Sequence, residues 1–122
     1  MSVRVMIVDD ALFMRNMLKE ICLRAGFEVV AEADNGEDAA ALYREHRPDL
    51  VTMDIVMPRR SGIEALQDIM TAEPQARVVM VSALGQDSLV LEAVEAGARD
   101  FIVKPFKEEK VVDVIRRVTG RT

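Results

Sequence analysis

The sequence Leu50-Val51-Thr52-Met53-Asp54 is a short, almost wholly apolar run that ends on a carboxylate. A run this short and this apolar predicts a strand buried inside a sheet. Three further runs end directly at polar or charged groups: Val3–Val8 before Asp9-Asp10, Val78–Val81 before Ser82, and Phe101–Val103 before Lys104-Pro105. Because the carboxyl ends of parallel strands line the ligand crevice of an open sheet, these groups are expected to converge there. The sequence therefore predicts one site with three carboxylates, a hydroxyl and an ammonium group.

Stretches of helical periodicity alternate with the strand-like runs five times along the chain. A second strand is predicted over Phe27–Ala33, and helices over 12–25, 37–45, 62–72 and 107–118. A fourth helix is predicted to be capped by Asp87 or Ser88 and to stop at Gly97. Such βα repetition is typical of a parallel sheet. We predict an α/β fold, a three-layer sandwich of five parallel strands with helices on both faces.

Length and composition limit the class of protein. The 122 residues suffice for one domain with its own core, and we interpret 1–122 as a single domain with no output domain attached. The net charge of −5 argues against nucleic acid as a partner. No stretch has the length of a membrane span or the order of a signal peptide. Cys22, the only cysteine, is predicted to be a buried filler in a reducing compartment. We therefore expect a soluble, cytoplasmic monomer.

Asp9, Asp10 and Asp54 are candidate ligands for a hard divalent cation. Mg²⁺ prefers oxygen ligands and is usually held by a couple of carboxylates together with water and phosphate. The alternative for the acidic pair is capping of the first helix, which one aspartate would satisfy. A second carboxylate adds a repulsion that a cation relieves, so Mg²⁺ binding is the preferred interpretation. The cluster is also expected to raise the pKa values of its carboxyl groups.

Asp54 is either a third metal ligand alone or also a nucleophile that accepts a phosphoryl group. Charge on a transferring phosphoryl group needs a fixed cation, which Lys104 can supply, and Pro105 can fix the lysine loop through a cis bond. Ser82 offers a hydroxyl at a neighbouring strand end. A lysine or a serine alone at a strand end is common, so the prediction depends on the combination.

Four motifs carry a resemblance to a known family. They are Val8-Asp9-Asp10, Met53-Asp54-Ile55-Val56-Met57-Pro58 with Gly62 after it, Ser82-Ala83, and Val103-Lys104-Pro105-Phe106. Asp9, Asp54, Ser82 and Lys104 follow one another at intervals of 45, 28 and 22 residues. With this order and spacing the chain resembles bacterial two-component response-regulator receiver domains over essentially its whole length. The resemblance implies a flavodoxin-like, CheY-like sheet of order 2-1-3-4-5.

The resemblance also implies roles for individual residues. Asp54 is expected to accept a phosphoryl group from the phosphohistidine of a histidine kinase. Asp10, Asp54 and the main-chain carbonyl of Val56 are expected to hold Mg²⁺, and Asp9 to act largely through water. Lys104 and Ser82 are expected to bind phosphoryl oxygens. Such a protein is a phosphoacceptor rather than an enzyme, and it catalyses only its own phosphorylation and slow dephosphorylation.

Within the family, the segments Asp9–Arg15 and Ser82–Gln86 are most similar to stand-alone chemotaxis regulators of the CheY type. This likeness implies a CheA-like kinase, the flagellar motor switch and a phosphatase as partners, with Ser82 and Phe101 as the switch residues. Phe101 stands where the family has Tyr or Phe. Arg59-Arg60 is interpreted as a solvated loop pair, and alternatively as a pair that steers a docking partner.

Three other functions are weighed against this one. A single-domain phosphorelay intermediate or a regulator of non-flagellar output would share the site and differ only in its partner. An aspartyl-phosphate hydrolase of the haloacid dehalogenase family needs an acid two residues after its nucleophile, where Val56 or Ala11 stands. A flavodoxin-like flavin binder needs a hydroxyl-rich phosphate loop after the first strand, and Asp9-Asp10 would repel phosphate there.

Overall fold

The computed structural model describes residues 2–121, in which strands and helices alternate strictly along the chain. The elements are β1 (Arg4–Val8), α1 (Leu12–Arg24), β2 (Glu28–Ala33), α2 (Ala39–His46), β3 (Leu50–Asp54), α3 (Gly62–Ala72), β4 (Val78–Ala83), α4 (Asp87–Glu95), β5 (Asp100–Lys104) and α5 (Glu108–Thr119). Each strand is about five residues long and leads into a helix, as the alternation of apolar runs and helical stretches predicts.

The five strands form one parallel sheet in the order β2-β1-β3-β4-β5. This confirms the predicted fold class and the strand order that the family resemblance implied. β3 is the central strand, and every one of its residues is buried. Its position explains its composition, because a central strand of a parallel sheet is covered by helices on both faces. Its last residue, Asp54, therefore lies in the middle of the carboxyl edge of the sheet.

The apolar side chains divide into two cores, one on each face of the sheet. On one face α1 and α5 cover the sheet with residues such as Ile21 and Ile115, which are almost fully buried. On the other face α2, α3 and α4 pack over Met53 and Met80, with Leu66 of α3 completely buried. Cys22 lies in the first core as predicted, and burial raises the pKa of its thiol to about 12.

Three helix starts differ from the predicted ones, that of α5 by a single residue, at Glu108 rather than Lys107. α2 begins at Ala39 rather than Glu37, because the side-chain carbonyl of Asn35 accepts a hydrogen bond from the Asp38 amide at 3.0 Å and holds residues 35–38 in a turn. The predicted capping of α4 is wrong. Its N-cap is Gln86, no side chain caps the helix, and Asp87 lies inside its first turn. The Gln86 side chain instead accepts a hydrogen bond from the Ala83 amide at 2.8 Å.

Between residues 2 and 121, no helix combines the length and the apolar character that crossing a bilayer would require.

Candidate functional site

Asp9, Asp10 and Asp54 meet at the carboxyl edge of the sheet, as the sequence predicts. One carboxylate oxygen from each lies within 4.8 Å of the others. Asp9 and Asp54 are buried, whereas Asp10 is exposed. Within residues 2–121 Asp10 makes no hydrogen bond or ion pair, so its carboxylate is free to bind a ligand. Three clustered carboxylates with one open side are a suitable ligand set for Mg²⁺.

The backbone fixes Asp9 at the end of β1. Its amide donates to the Ala33 carbonyl at 3.0 Å, and its own carbonyl accepts a hydrogen bond from the guanidinium of Arg15 at 2.7 Å. One side-chain oxygen accepts from the Ala11 amide at 2.9 Å, but Ala11 is itself the N-cap and no side chain caps α1, so the alternative of helix capping is wrong. The other oxygen lies 3.5 Å from the ammonium nitrogen of Lys104. Because one of its oxygens is already hydrogen-bonded to the backbone, Asp9 is better suited to support a cation indirectly than to bind it directly.

Lys104, the last residue of β5, reaches across the edge of the sheet to the carboxylates. Its ammonium nitrogen is 3.5 Å from an oxygen of Asp9 and 3.5 Å from an oxygen of Asp54. The peptide bond between Lys104 and Pro105 is cis, as predicted. The ammonium group is thus shared between two buried carboxylates, where it can also meet an anion bound on Asp54.

The pKa of Asp54 is raised from 3.8 to about 6. Burial is the largest cause and the neighbouring charge of Asp9 is the second, while Lys104 opposes both. The predicted rise is therefore found for Asp54, although desolvation contributes more to it than repulsion. With a pKa of about 6 the carboxylate is still ionised at neutral pH. It is also more basic than an ordinary aspartate, which suits a nucleophile.

Ser82 lies on β4, next to the central strand, and is buried. Within residues 2–121 its hydroxyl has no hydrogen-bond partner. Such an orphaned hydroxyl costs free energy, because buried polar groups are normally paired. A phosphoryl oxygen on Asp54 would supply a partner, so this observation favours an oxyanion at the site. Thr52 has a second orphaned hydroxyl, for which the site offers no comparable explanation.

The loop 55–61 follows Asp54 and is anchored to the sheet at both ends. The Ile55 amide donates to the Val81 carbonyl at 3.2 Å, and the Gly62 amide donates to the Ile55 carbonyl at 2.7 Å. A Cβ atom on Gly62 would lie 1.9 Å from the Asp54 carbonyl oxygen, so only glycine permits this close return of the chain. Val56 lies between these anchors with its side chain exposed at the rim of the site.

Phe101 lies on β5 beside a cavity of about 250 Å³. The cavity separates the ring, which is 40% exposed, from Ser82. Leu84 and Val90 line the same cavity. Ser82 and Phe101, the two residues expected to act as a switch, therefore line one cavity from neighbouring strands.

An apolar rim surrounds the acidic cluster. Large apolar side chains that follow three of the strand ends are more than half exposed, namely Leu12, Phe13, Val56 and Leu84. A single exposed apolar side chain is ordinary, but several around one polar site indicate an interaction surface. Exposure of this kind depends on which helix face is covered. The apolar pattern of the sequence alone does not determine that.

The interpretation of Arg59 and Arg60 as a solvated pair holds for Arg59, which is exposed, and is wrong for Arg60. The guanidinium of Arg60 binds both carboxylate oxygens of Asp68 on α3, at 2.7 and 2.9 Å. Arg59 lies 3.8 Å from the carboxylates of Asp34 and Glu37, in the turn after β2. Both arginines thus connect the loop 55–61 to neighbouring elements.

Comparison with known proteins identifies the type of domain. Residues 5–116 match the family model described as "Response regulator receiver domain". The chain is 56% identical over 117 residues to the chemotaxis protein CheY of Bacillus subtilis, covering 96% of this chain and 98% of that protein. It is 52% identical over 119 residues to CheY of Thermotoga maritima, covering 98% and 99%.

A solved structure shares the fold and carries ligands. It is the complex of CheX and CheY with BeF₃ and Mg²⁺ from Borrelia burgdorferi, whose matching chain has a TM-score of 0.90 and 41% identity. The alignment covers 94% of this chain and 87% of that one.

Proposed function

The chain belongs to the response regulator receiver family, and from this premise we propose that it is a phosphorylation-activated chemotaxis regulator with Asp54 as its phosphoacceptor. One observation carries the proposal. Asp54 ends the central strand between a buried carboxylate, an ammonium group 3.5 Å away and an orphaned buried hydroxyl. This is a set of groups suited to transfer of an anionic phosphoryl group onto a carboxylate.

Transfer replaces the P–N bond of a phosphohistidine with a P–O bond to Asp54. The carboxylate is the nucleophile, and its raised pKa strengthens it without protonating it at neutral pH. Lys104 moves from sharing two carboxylates to neutralising a phosphoryl oxygen. Ser82 donates its hydroxyl to another oxygen and loses its orphaned state.

Mg²⁺ fits the acidic cluster, and its ligands would be Asp10, Asp54 and the Val56 carbonyl, with Asp9 acting through water. When bound, the ion offsets the excess negative charge and shields the phosphoryl oxygens. Asp10 supports this assignment, because it is exposed and has no other partner within the described residues. The protein cage is incomplete, so binding is expected to be weak and Mg²⁺ readily exchanged.

Hydrolysis of the acyl phosphate is expected to be slow. Water must attack in line past the rim, where Val56 and Leu84 stand two residues after Asp54 and Ser82. Neither side chain can orient a water molecule or accept its proton. A phosphatase partner that brings a polar group to this rim therefore complements the chain. The apolar rim also gives a histidine kinase of the CheA type a surface on which to dock.

The signal is proposed to leave through α4, β5 and α5. Phosphorylation draws the Ser82 hydroxyl towards Asp54, and the Phe101 ring turns into the cavity beside it. The surface that a cytoplasmic partner meets then changes. The identity to CheY proteins supports the flagellar motor switch as that partner.

Labelling with a small phosphodonor tests the proposal. Wild-type protein should take up phosphate with Mg²⁺ and not with a chelator, and Asp54→Asn should remain unlabelled. Undiminished label in Asp54→Asn, carried by Ser82 or Asp10, would refute the assignment. In the same assay, the double variant Val56→Asn with Leu84→Glu should lose its label faster than wild type. An unchanged decay rate would contradict the account of slow hydrolysis.

A further inference from the structure

Gly36 lies in the turn between β2 and α2 and touches the loop 55–61 from outside the site. A Cβ atom built on Gly36 would lie 2.0 Å from the Arg60 carbonyl oxygen and 3.0 Å from that of Ser61. No real Cβ atom approaches a backbone oxygen so closely. The φ angle of Gly36 is not positive, so the turn itself does not require glycine. Contact with the loop 55–61, rather than the turn, is therefore what requires a residue without a side chain at this position.

The turn that carries Gly36 is rigid. Asn35 is completely buried, and its amide group donates to the carboxylates of Asp34 at 2.7 Å and Asp38 at 3.0 Å. Its side-chain oxygen accepts from the Asp38 amide at 3.0 Å. A fully hydrogen-bonded buried side chain fixes the backbone around it. An obstacle placed at Gly36 would thus displace the loop rather than the turn.

Hydrogen bonds within the loop 55–61 would transmit such a displacement towards Asp54. The Arg60 amide donates to the Pro58 carbonyl at 2.7 Å, which joins the contact point to a residue two positions from Val56. On the far side, the Arg60 guanidinium is held by Asp68 of α3. Arg59 has a φ angle of 67°, and it extends back to Asp34 and Glu37.

We propose that the turn 34–38 is a positioning element for Mg²⁺ binding, with Gly36 as the positioning residue and Arg59 as its auxiliary. Contact between Gly36 and the Arg60 carbonyl holds the loop 55–61 in the position in which the Val56 carbonyl can bind Mg²⁺. Neither residue touches the ion. The inference rests on the proposed function, because it assumes that the Val56 carbonyl is a Mg²⁺ ligand.

Gly36→Ala tests the proposal directly. We expect Mg²⁺ to bind about tenfold more weakly by titration, as for other residues that orient metal ligands. Amides of residues 56–61 in the metal-free protein should also exchange with solvent faster, while those of β1 remain unchanged. The matched control is Gly26→Ala, since Gly26 has a φ of +85° and nothing within 4 Å of its Cβ position. That variant should lose stability and keep its Mg²⁺ affinity. Equal Mg²⁺ affinity in the two folded variants would overturn the proposal.

Arg59→Gln decides the matter if Gly36→Ala fails to fold, because Arg59 is exposed and its replacement is tolerated at a surface. Simple electrostatics predicts tighter Mg²⁺ binding when a nearby positive charge is removed. Positioning predicts the opposite, a weakening of roughly twofold to threefold, the size of an exposed ion pair. Arg44→Gln, at an exposed position of α2, is the charge-matched control. Binding in Arg59→Gln as tight as in Arg44→Gln, or tighter, would refute the auxiliary role.

The reference for both variants is the wild-type protein itself. If wild-type protein binds no Mg²⁺, the proposed function fails. If wild-type protein binds Mg²⁺ and the Gly36 and Arg59 variants bind it equally well, the positioning role alone fails.

Discussion

Helices α3 and α4 lie side by side on one face of the sheet, yet they are held very differently. α3 begins with a capping box between Ser61 and Glu64, and five of its residues are buried. α4 has no side-chain cap, and Ala93 is its only buried residue. Its Leu91 and Val94 are 61% and 47% exposed. α3 is thus firmly anchored in the core, while α4 packs only loosely against it.

Under the proposed function, this difference gives the two helices separate tasks. α3 follows the loop that leaves Asp54, so its anchoring preserves the geometry of the site. α4 lies over the cavity that separates Ser82 from Phe101, where its weak attachment allows movement. Regions with few buried apolar contacts are the ones that open or shift at low free-energy cost. Under the proposed function, firm support for phosphoryl transfer and loose support for signal output are thus adjacent on one sheet face.

The largest expected effect is the difference in stability lost when one leucine on each helix is truncated to alanine. Leu66 of α3 is completely buried, so Leu66→Ala should lower the free energy of unfolding by about 3 kcal/mol. Leu91→Ala on α4 should change it by less than about 0.5 kcal/mol, since an exposed side chain loses little contact. Urea titrations of both variants measure this. Comparable losses would mean that α4 is as firmly anchored as α3.

The next largest effect on stability comes from burying the negative charge of Asp54. The folded protein holds the pKa of Asp54 at about 6 against an ordinary 3.8, so in Mg²⁺-free buffer the folded state binds more protons than the unfolded state between these values. Stability is therefore lost as pH rises through that window, by about 3 kcal/mol in full. Asp54→Asn should be more stable than wild type by about 2 kcal/mol at pH 8, because Lys104 keeps Asp9 as its partner.

Two controls accompany this comparison, again by urea unfolding. At pH 4 most of the advantage of Asp54→Asn should be lost, since the folded carboxyl group is then protonated and the unfolded one, with its ordinary pKa of 3.8, is only about half ionised. Saturating Mg²⁺ at pH 8 should stabilise wild type more than the variant. An Asp54→Asn protein less stable than wild type at pH 8 without Mg²⁺ would show that burial of the charge is not costly.

Helix α4 and the neighbouring strand β5 should respond to a phosphoryl mimic. With beryllofluoride and Mg²⁺, NMR should show shifts of the Phe101 ring and of amides from Asp87 to Lys110, with little change in α3. Phe101 has no hydroxyl, so its burial costs nothing polar, and its inward state is expected to be partly populated before phosphorylation. The free-energy coupling is accordingly expected at the low end of about 1–3 kcal/mol. Shifts confined to the surroundings of Asp54, or equally large in α3, would contradict a switch through α4.

Local pattern was sufficient to predict most of this molecule. The strands and the convergence of Asp9, Asp54, Ser82 and Lys104 follow from short apolar runs and from the geometry of parallel sheets. The start of α2 was missed because the buried hydrogen bonds of Asn35 hold a turn where helical periodicity already begins.

Tertiary contacts explain the other failures. Arg60 was interpreted as solvated because its partner, Asp68, becomes adjacent only once α3 folds back from the loop. The approach of Gly36 to the Arg60 carbonyl likewise depends on two loops that are distant in sequence. Propensity made Asp87 or Ser88 a reasonable cap for α4, but the chain begins that helix one residue earlier, at an N-cap whose side chain is bonded back towards β4.

The smallest expected effect compares the two helix starts. The Ser61 hydroxyl accepts from the Glu64 amide at 3.2 Å, and the Glu64 carboxylate accepts from the Ser61 amide at 3.1 Å. Ser61→Ala should therefore lower the free energy of unfolding by about 1 kcal/mol, the usual value of a capping side chain. Asp87→Ala removes only the attraction of an exposed charge to the first turn of α4, which contributes about 0.3 kcal/mol. Urea unfolding resolves the first loss and barely the second. If Asp87→Ala costs as much as Ser61→Ala, then α4 has a cap in solution, and its looseness must come from poor burial alone.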